Sequence, residues 1–374
     1  MELNELKDKI QKEVEKKWVS NKFRGLIALC TGAGKSKIFI NILSNFEKEK
    51  WLLVVPTQKL RDENWKSEFS KWKKLTIFKK RLDKCCYASL NKYDLSKYDG
   101  ICLDEAHNIT ENNSKYLKDY NGKILALTAT PPNDEDKKTI LYSDLKCPVI
   151  YNLPLDKGVK IGIVSPYNIT VVESWLDSTE KNIETGSKTK RFMGTEKSIY
   201  DYKSNNIRKM QFGTKPVPKF LYLDRMRFIY NLPSKTKVAK GILDSISKDK
   251  RVLIFCSGID QAEELCKHSW HSKSNNNNLE LFKKKKINRL SSVGMLNEGE
   301  NIPDIDIILI VQLNANERDL IQRLGRGVRL RPNHTAEVYI IVTANTQDEK
   351  WFKKASEQLS SSNITYTSAK NYIK

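Results

Sequence analysis

The sequence predicts an α/β protein: two tandem parallel-sheet domains with a basic, largely helical insertion between them. Three observations lead there. Short apolar runs lie at 26–29, 51–55, 101–103, 124–127, 252–255, 305–311 (broken by Asp306) and 338–342, separated by longer amphipathic stretches. Apolar runs without polar alternation describe strands buried on both faces, as a parallel sheet covered by helices requires. The pattern occurs twice, over about 24–150 and about 235–345, and 374 residues suffice for two such domains.

Taken in order, the chain opens on Leu3, Leu6, Ile10, Val14 and Trp18, spaced for one face of a helix on a charged background. The first domain is expected over 1–166, a basic connector over 167–234, the second domain over 235–345 and a tail packed on it over 346–374. The segment from Ser174 to Asn231 carries twelve Lys and Arg against six Asp and Glu, with Phe192, Tyr202, Phe212, Phe220 and Tyr222 among the cations. Cations beside stackable rings suit a strand-binding surface. The alternative, a helical insertion whose rings pack on the flanking domains, stays open.

The whole chain holds 66 Lys and Arg against 45 Asp and Glu, a formal charge of +21. Such a balance points to a polyanion, most commonly nucleic acid, with a lysine- and asparagine-rich compositional bias as the alternative. No apolar run approaches the roughly 18 residues of a membrane span. The opening Met1-Glu2-Leu3-Asn4-Glu5 lacks the basic-then-apolar order of a secretory signal, so a cytoplasmic protein is expected. The seven cysteines are odd in number and form no Cys-x-x-Cys pair, which signals neither a disulfide framework nor a zinc or iron–sulfur site.

The chemistry begins after the first run. Cys30-Thr31-Gly32-Ala33-Gly34-Lys35-Ser36 follows it and leads into a helical stretch. Strand, Gly-rich turn, Lys-Ser and helix are the context of a P-loop. Gly32 and Gly34 let backbone N–H groups turn around phosphate oxygens, and the helix N-terminus adds partial positive charge. Lys35 would reach the β- and γ-phosphates and the Ser36 hydroxyl would ligate Mg²⁺. The strict motif has a glycine where this chain has Leu29. About 70 residues on, a second apolar run ends in Asp104-Glu105-Ala106-His107. Asp104, at a strand's carboxyl end, would hold Mg²⁺ through water, and Glu105 would polarise the attacking water.

Asp104-Glu105-Ala106-His107 spells the DEAH box, and the chain from about 24 to 332 resembles a superfamily-two DEAD/DEAH-type helicase with two RecA-like domains. Thr31 to Ser36 resembles motif I, which in this superfamily often lacks the first glycine. Val54-Val55-Pro56-Thr57 resembles motif Ia and Tyr87-Ala88-Ser89-Leu90 a further strand-contacting motif, which implies nucleic-acid contacts at Pro56, Thr57, Tyr87 and Ser89. Leu127-Thr128-Ala129-Thr130-Pro131 matches motif III and implies that Thr128 and Thr130, with His107, couple nucleotide to strand. Val252 to Cys256 resembles motif IV, and Leu296 to Pro303 resembles motif V, with Gly299 and Asn301 near the strand. Gln322-Arg323-Leu324-Gly325-Arg326-Gly327-Val328-Arg329 fits motif VI, which implies arginine fingers at Arg326 and Arg329 and a site role for Gln322. Gln11 is the candidate for the family's adenine-reading glutamine.

The resemblance implies an ATP- and Mg²⁺-dependent motor whose substrate is pinched between Lys35 and Asp104 of one domain and Arg326 and Arg329 of the other. Its expected partner is nucleic acid, DNA ahead of RNA, as single strand or branched duplex. Two further readings use the same motifs: a nucleic-acid-stimulated ATPase switch without strand separation, and the motor subunit of a larger repair, restriction or defence assembly. A bare P-loop kinase is disfavoured, because it leaves motif VI and the second α/β half without use.

Overall fold

In the computed structural model the described residues are 3–187, 190–214, 216–275, 277–294, 302, 304–314, 317–327 and 334–373. They form two units that divide between Ser165 and Pro166.

The first unit starts with helix α1 (Leu3–Ser20), followed by strands β1 (Arg24–Leu29), β2 (Trp51–Val55), β3 (Leu82–Cys86), β4 (Gly100–Leu103), β5 (Lys123–Thr128) and β6 (Val149–Leu153). All six are parallel, in the order β3-β2-β4-β5-β1-β6. Helix α2 (Lys35–Asn45) follows β1, and helix α3 (Trp65–Lys71) follows β2 through a wider helical turn, Leu60–Asn64. The inner strands β2 and β4 carry no polar side chain and are buried at every position, whereas the edge strand β3 carries Asp83 and Lys84. Helix α1 lays Ile10, Val14 and Trp18 inward on one side. Trp18 is fully buried and donates its indole N–H to Ile124 O at 2.9 Å. It joins an aromatic cluster of Phe23, Phe39, Phe46, Trp51, Trp65 and Phe69. Truncating a buried tryptophan to alanine costs about 3–5 kcal/mol.

The strand order is what builds a site. β4, β5 and β1 are adjacent and parallel, with Leu103 opposite Ala126 and Ala28 opposite Thr128. Their carboxyl ends therefore bring the acidic box, the Thr128 segment and the glycine-rich loop to one edge, the edge where ligands of open α/β sheets bind.

The second unit has a seven-stranded parallel sheet. Its strands are β7 (Tyr167–Ser174), β10 (Val252–Cys256), β11 (Ser269–Trp270), β12 (Arg289–Val293), β13 (Ile307–Ile310), β14 (Ala336–Thr343) and β15 (Ile364–Ser368), in the order β11-β12-β10-β13-β14-β7-β15. This corrects the expected boundaries. Residues 167–174 are not connector but a sheet strand, paired over eight positions with β14 and on its other side with β15. The expected tail is not merely packed on the domain, since β15 extends the sheet.

The insertion that remains holds an antiparallel hairpin, β8 (Ile183–Ser187) and β9 (Lys190–Gly194), then helices α4 (Glu196–Gln211) and α5 (Lys219–Tyr230) packed on each other. Thr195 and Ser198 cap α4 reciprocally. The buried Glu196 carboxylate accepts from Asp177 N at 2.9 Å and Ser234 N at 2.8 Å, and Tyr200 OH accepts from Gln347 N at 2.9 Å. The insertion is thereby fixed to the start of helix α6 (Pro233–Ser245) in the second unit. A fully buried ion pair, Lys235 to Asp348 at 2.6 Å, joins α6 to the helix Gln347–Ala355.

Candidate nucleotide-binding site

The loop between β1 and α2 turns on two glycines. Gly32 has φ +90° and Gly34 φ +97°, a conformation that side chains rarely adopt, and Gly34 caps the N-terminus of α2. With no β-carbons there, backbone N–H groups can line a phosphate. Lys35 stands in the first turn, its Nζ 3.4 Å from Leu29 O and 3.7 Å from Glu105 Oε1. Ser36 follows it, half-buried, in the same turn. Gln11 reaches this loop from α1: a β-carbon at position 34 would lie 3.3 Å from its Nε2, while its Oε1 accepts from Asn41 Nδ2 at 3.1 Å.

Across the edge, β4 ends at Leu103 and Asp104 is buried behind it. Its Oδ2 accepts from Trp65 Nε1 at 2.8 Å and its Oδ1 from Glu105 N at 3.0 Å. Burial, and then the neighbouring Glu105, push the Asp104 carboxyl up to about 7, against the pull of Trp65 and Lys35. Glu105 has φ +46°, a left-handed conformation that costs a non-glycine residue of order 1–3 kcal/mol. That turn places its carboxylate toward Lys35 on one side and 3.5 Å from His107 Nδ1 on the other. Glu105 Oε2 is buried and accepts no hydrogen bond from the described residues.

The donor set fits magnesium and a triphosphate. Two adjacent carboxylates, one of them fully desolvated, favour a hard divalent cation with oxygen ligands. The glycine turn is a cradle that a β-carbon would fill. His107 is buried and shares a contact with Thr128 Oγ1 at 3.1 Å, and Thr128 Oγ1 donates to Thr130 O at 2.9 Å. The residues assigned to coupling are thus brought together.

Other expected residues fare differently. Tyr87 is expected on the nucleic-acid surface, but its side chain is 5% exposed and its hydroxyl donates to Asp104 O at 3.0 Å. The correction follows from the apolar surroundings of β3 and β4, which bury the ring and leave the phenol one acceptor. Thr57 is exposed, and Ser89 Oγ donates to Cys86 O at 3.3 Å. Pro56 and the edge of Tyr87 line a surface concavity with Asn91, Asn108, Asn112 and Tyr116. In the second unit, Gln322 and Arg326 lie buried on the helix Glu317–Gly327. Arg323 on the same helix is structural, its guanidinium 5.0 Å over the Phe255 ring and bonded to Gln312. Gly299, Asn301 and Arg329 lie outside the described residues. Sequence reasoning missed Trp65, whose signal was an indole between motif Ia and a charged helix.

The seven cysteines are free and buried, and burial pushes thiols such as Cys30 up to about 11. No helix among the described residues is long and apolar enough to cross a membrane.

Comparison with known proteins finds one family match in each unit. Residues 1–133 match the family described as Type III restriction enzyme, res subunit, and residues 234–331 match the Helicase conserved C-terminal domain. The chain is 24% identical to the DNA 3'-5' translocase XPB2 of Sulfurisphaera tokodaii, over 94% of this chain and 86% of that one. Its fold is similar to that of S. cerevisiae Dbp5 bound to RNA and ADP BeF3, with TM-score 0.61, 13% identity, 97% of this chain and 90% of that one. It is also similar to the ATP-dependent Type ISP restriction-modification enzyme LlaBIII bound to DNA, with TM-score 0.58 and 14% identity over 96% of this chain. The chain spans 31% of LlaBIII's length.

Proposed function

The chain is a superfamily-two helicase, and from that premise we propose that it converts ATP hydrolysis into movement along DNA. The observation that carries the reading is a continuous series of side-chain contacts from the phosphate loop to the end of β5: Lys35 to Glu105, Glu105 to His107, His107 to Thr128. A P-loop enzyme that only transfers phosphate has no need of the last two.

In this reading the backbone N–H groups around Gly32 to Gly34 and the Lys35 ammonium hold the triphosphate, and Gln11 reads the adenine. Asp104 and Ser36 would hold magnesium, which when bound neutralises charge on the phosphates. Glu105 orients the attacking water and takes its proton. Arg326 and Arg329 supply guanidinium groups to the charge that develops on the γ-phosphoryl. Pro56, Thr57, Ser89, Gly299 and Asn301 track the strand through its phosphates, and the cations and rings of the insertion extend that track. The direction of travel, 3' to 5', is carried over from the translocase named above.

The reading is tested by ATPase rate against single-stranded and duplex DNA and RNA at two salt concentrations. DNA should stimulate turnover, with an apparent affinity that falls steeply as salt rises. A rate indifferent to every nucleic acid overturns the motor. The similarity to a much longer restriction-modification enzyme favours a second reading, a motor subunit that translocates without separating strands. Strand displacement measured beside DNA-stimulated ATPase decides between them.

A further inference from the structure

Trp65 is 3% exposed, and its ring packs edge-on against Phe39 at 5.5 Å and tilted against Phe69 at 6.2 Å. Its one polar atom, Nε1, donates to a carboxylate rather than to a backbone carbonyl. A buried indole needs an acceptor, and a neutral one suffices. A charged acceptor in an apolar cluster is the costlier choice. Tyr87, also buried, donates to the backbone oxygen of the same residue. Two aromatic side chains therefore hold Asp104, one at its carboxylate and one at its main chain. Each lies close in sequence to residues that the proposed function assigns to the strand: Trp65 ends the stretch that starts at Pro56 and Thr57, and Tyr87 lies two residues before Ser89.

We propose that Trp65 is a positioning residue for ATP hydrolysis, its indole N–H fixing the Asp104 carboxylate that would hold the metal and tying it to the strand-facing segment at Pro56. The physical need is plain. The terminal torsion of aspartate is broad, so an unheld carboxylate samples many orientations. With Glu105 N on Oδ1 and Trp65 on Oδ2 the plane is set, and one lone pair on each oxygen is left for the cation side. Partners of this kind are typically worth 10- to 100-fold in metal affinity or activity. Since only a short segment containing the Leu60–Asn64 turn separates Thr57 from Trp65, the first residue of α3, a strand seated at Thr57 has a short route to the carboxylate.

The role in metal positioning stands apart from the strand reading, while the tie to the strand rests on it, and the experiment separates the two. Trp65→Phe keeps a smaller ring in the cluster and removes the donor. Unstimulated ATPase titrated with Mg²⁺ should need about tenfold more metal for half-maximal rate, while fluorescent-nucleotide binding in EDTA stays within about twofold of wild type. Trp65→His, whose Nε2 can occupy the ring position of the indole nitrogen, should recover part of that loss. A second measurement uses the wild-type protein: the Trp65 indole N–H resonance, in ¹⁵N-indole-labelled protein with ADP, should shift when Mg²⁺ is added. Wild-type Mg²⁺ dependence in Trp65→Phe, or an indole resonance unmoved by Mg²⁺, overturns the proposal. If no nucleic acid stimulates even the wild-type enzyme, the strand reading fails and the Mg²⁺ titration still decides on Trp65. If Trp65→Phe loses DNA stimulation in proportion to its Mg²⁺ defect, the tie to the strand is supported, and intact stimulation overturns that part.

Discussion

His107 Nδ1 and Thr128 Oγ1, 3.1 Å apart, join the acidic box to the carboxyl end of β5. Thr128 Oγ1 also donates to Thr130 O at 2.9 Å. On the other side of the ring, Asn108 Nδ2 lies 3.2 Å from His107 Nε2. The imidazole is thus engaged at both nitrogens, and contacts run from Asn108 through His107 and Thr128 to Thr130. Asn108 lines the same concavity as Pro56, which places that concavity one side chain from His107.

Thr128→Val keeps the shape of the side chain and removes the hydroxyl that faces the buried His107 Nδ1. A buried polar group deprived of its partner costs about 1–3 kcal/mol. ATP binding should stay within about twofold of wild type, while DNA-saturated kcat falls about tenfold or more. Nucleotide binding and steady-state kinetics measured on the same preparation check this, and a parallel loss of both argues against coupling.

The raised Asp104 predicts a pH dependence of stability in metal-free protein. A carboxyl held near 7 in the fold and near 3.8 when unfolded binds more protons folded than unfolded between those values. Stability from this group is therefore full below about pH 4, falls as pH rises toward 7 and is level above. The slope is at most about 1.4 kcal/mol per pH unit. Asp104→Asn removes it, so in EDTA the variant should gain stability over wild type from pH 5 to pH 8, and saturating Mg²⁺ with nucleotide should narrow the gap. Denaturant midpoints at the two pH values are the measurement, and an equal difference at both contradicts the assignment.

Much of this is legible in the chain. β2 coincides with the apolar run 51–55, and β1, β4, β5, β10 and β14 contain the runs that predict them, because strands buried on both faces leave an uninterrupted apolar signature. β13 is narrower than 305–311, since Asp306 ends the apolar run on one side. β7 and β15 carry no such signature. Asn168, Thr170 and Glu173 interrupt the first, which lies next to last in its sheet, and Ile364-Thr365-Tyr366-Thr367-Ser368 is an edge strand with exposed side chains. Their identity depends on a neighbour far along the chain. In the site, spacing points to Lys35, Asp104 and Glu105, whereas the left-handed turn at Glu105 and the Trp65 hydrogen bond arise from packing that no local pattern encodes.

Arg326→Ala and Arg329→Ala test whether these two arginines take part in hydrolysis. A guanidinium that acts on the γ-phosphoryl contributes mainly to the transition state, so each variant should bind ATP nearly as wild type and lose about 10³-fold or more in kcat. Arg323→Ala is the contrast. It removes the Phe255 stack and the Gln312 bonds, and its effect should appear first as a lowered melting temperature. Thermal melts beside single-turnover hydrolysis distinguish the two, and an Arg326→Ala variant whose defect is wholly thermal is no finger.

The insertion gives the last prediction. Its helix hairpin carries Phe212 at 87% exposure and Phe220 at 65%, beside the exposed cations Arg208, Lys209 and Lys219. From Tyr202 to Leu223 there is no carboxylate. Rings left in water gain nothing for the fold, so their truncation should leave the melting temperature within a degree or two. If they stack on unpaired bases, each is worth about 1–3 kcal/mol. Phe212→Ala with Phe220→Ala should then weaken single-strand binding by more than about tenfold while shifting the salt dependence little, because every phosphate keeps its cation. Replacing Arg208 and Lys209 by glutamine should do the reverse, lowering the salt slope by about one for each phosphate that is no longer neutralised. Fluorescence anisotropy on a labelled oligonucleotide across a salt series separates the two effects. Should both pairs leave affinity and slope unchanged, the rings and cations of this hairpin do not bind the strand.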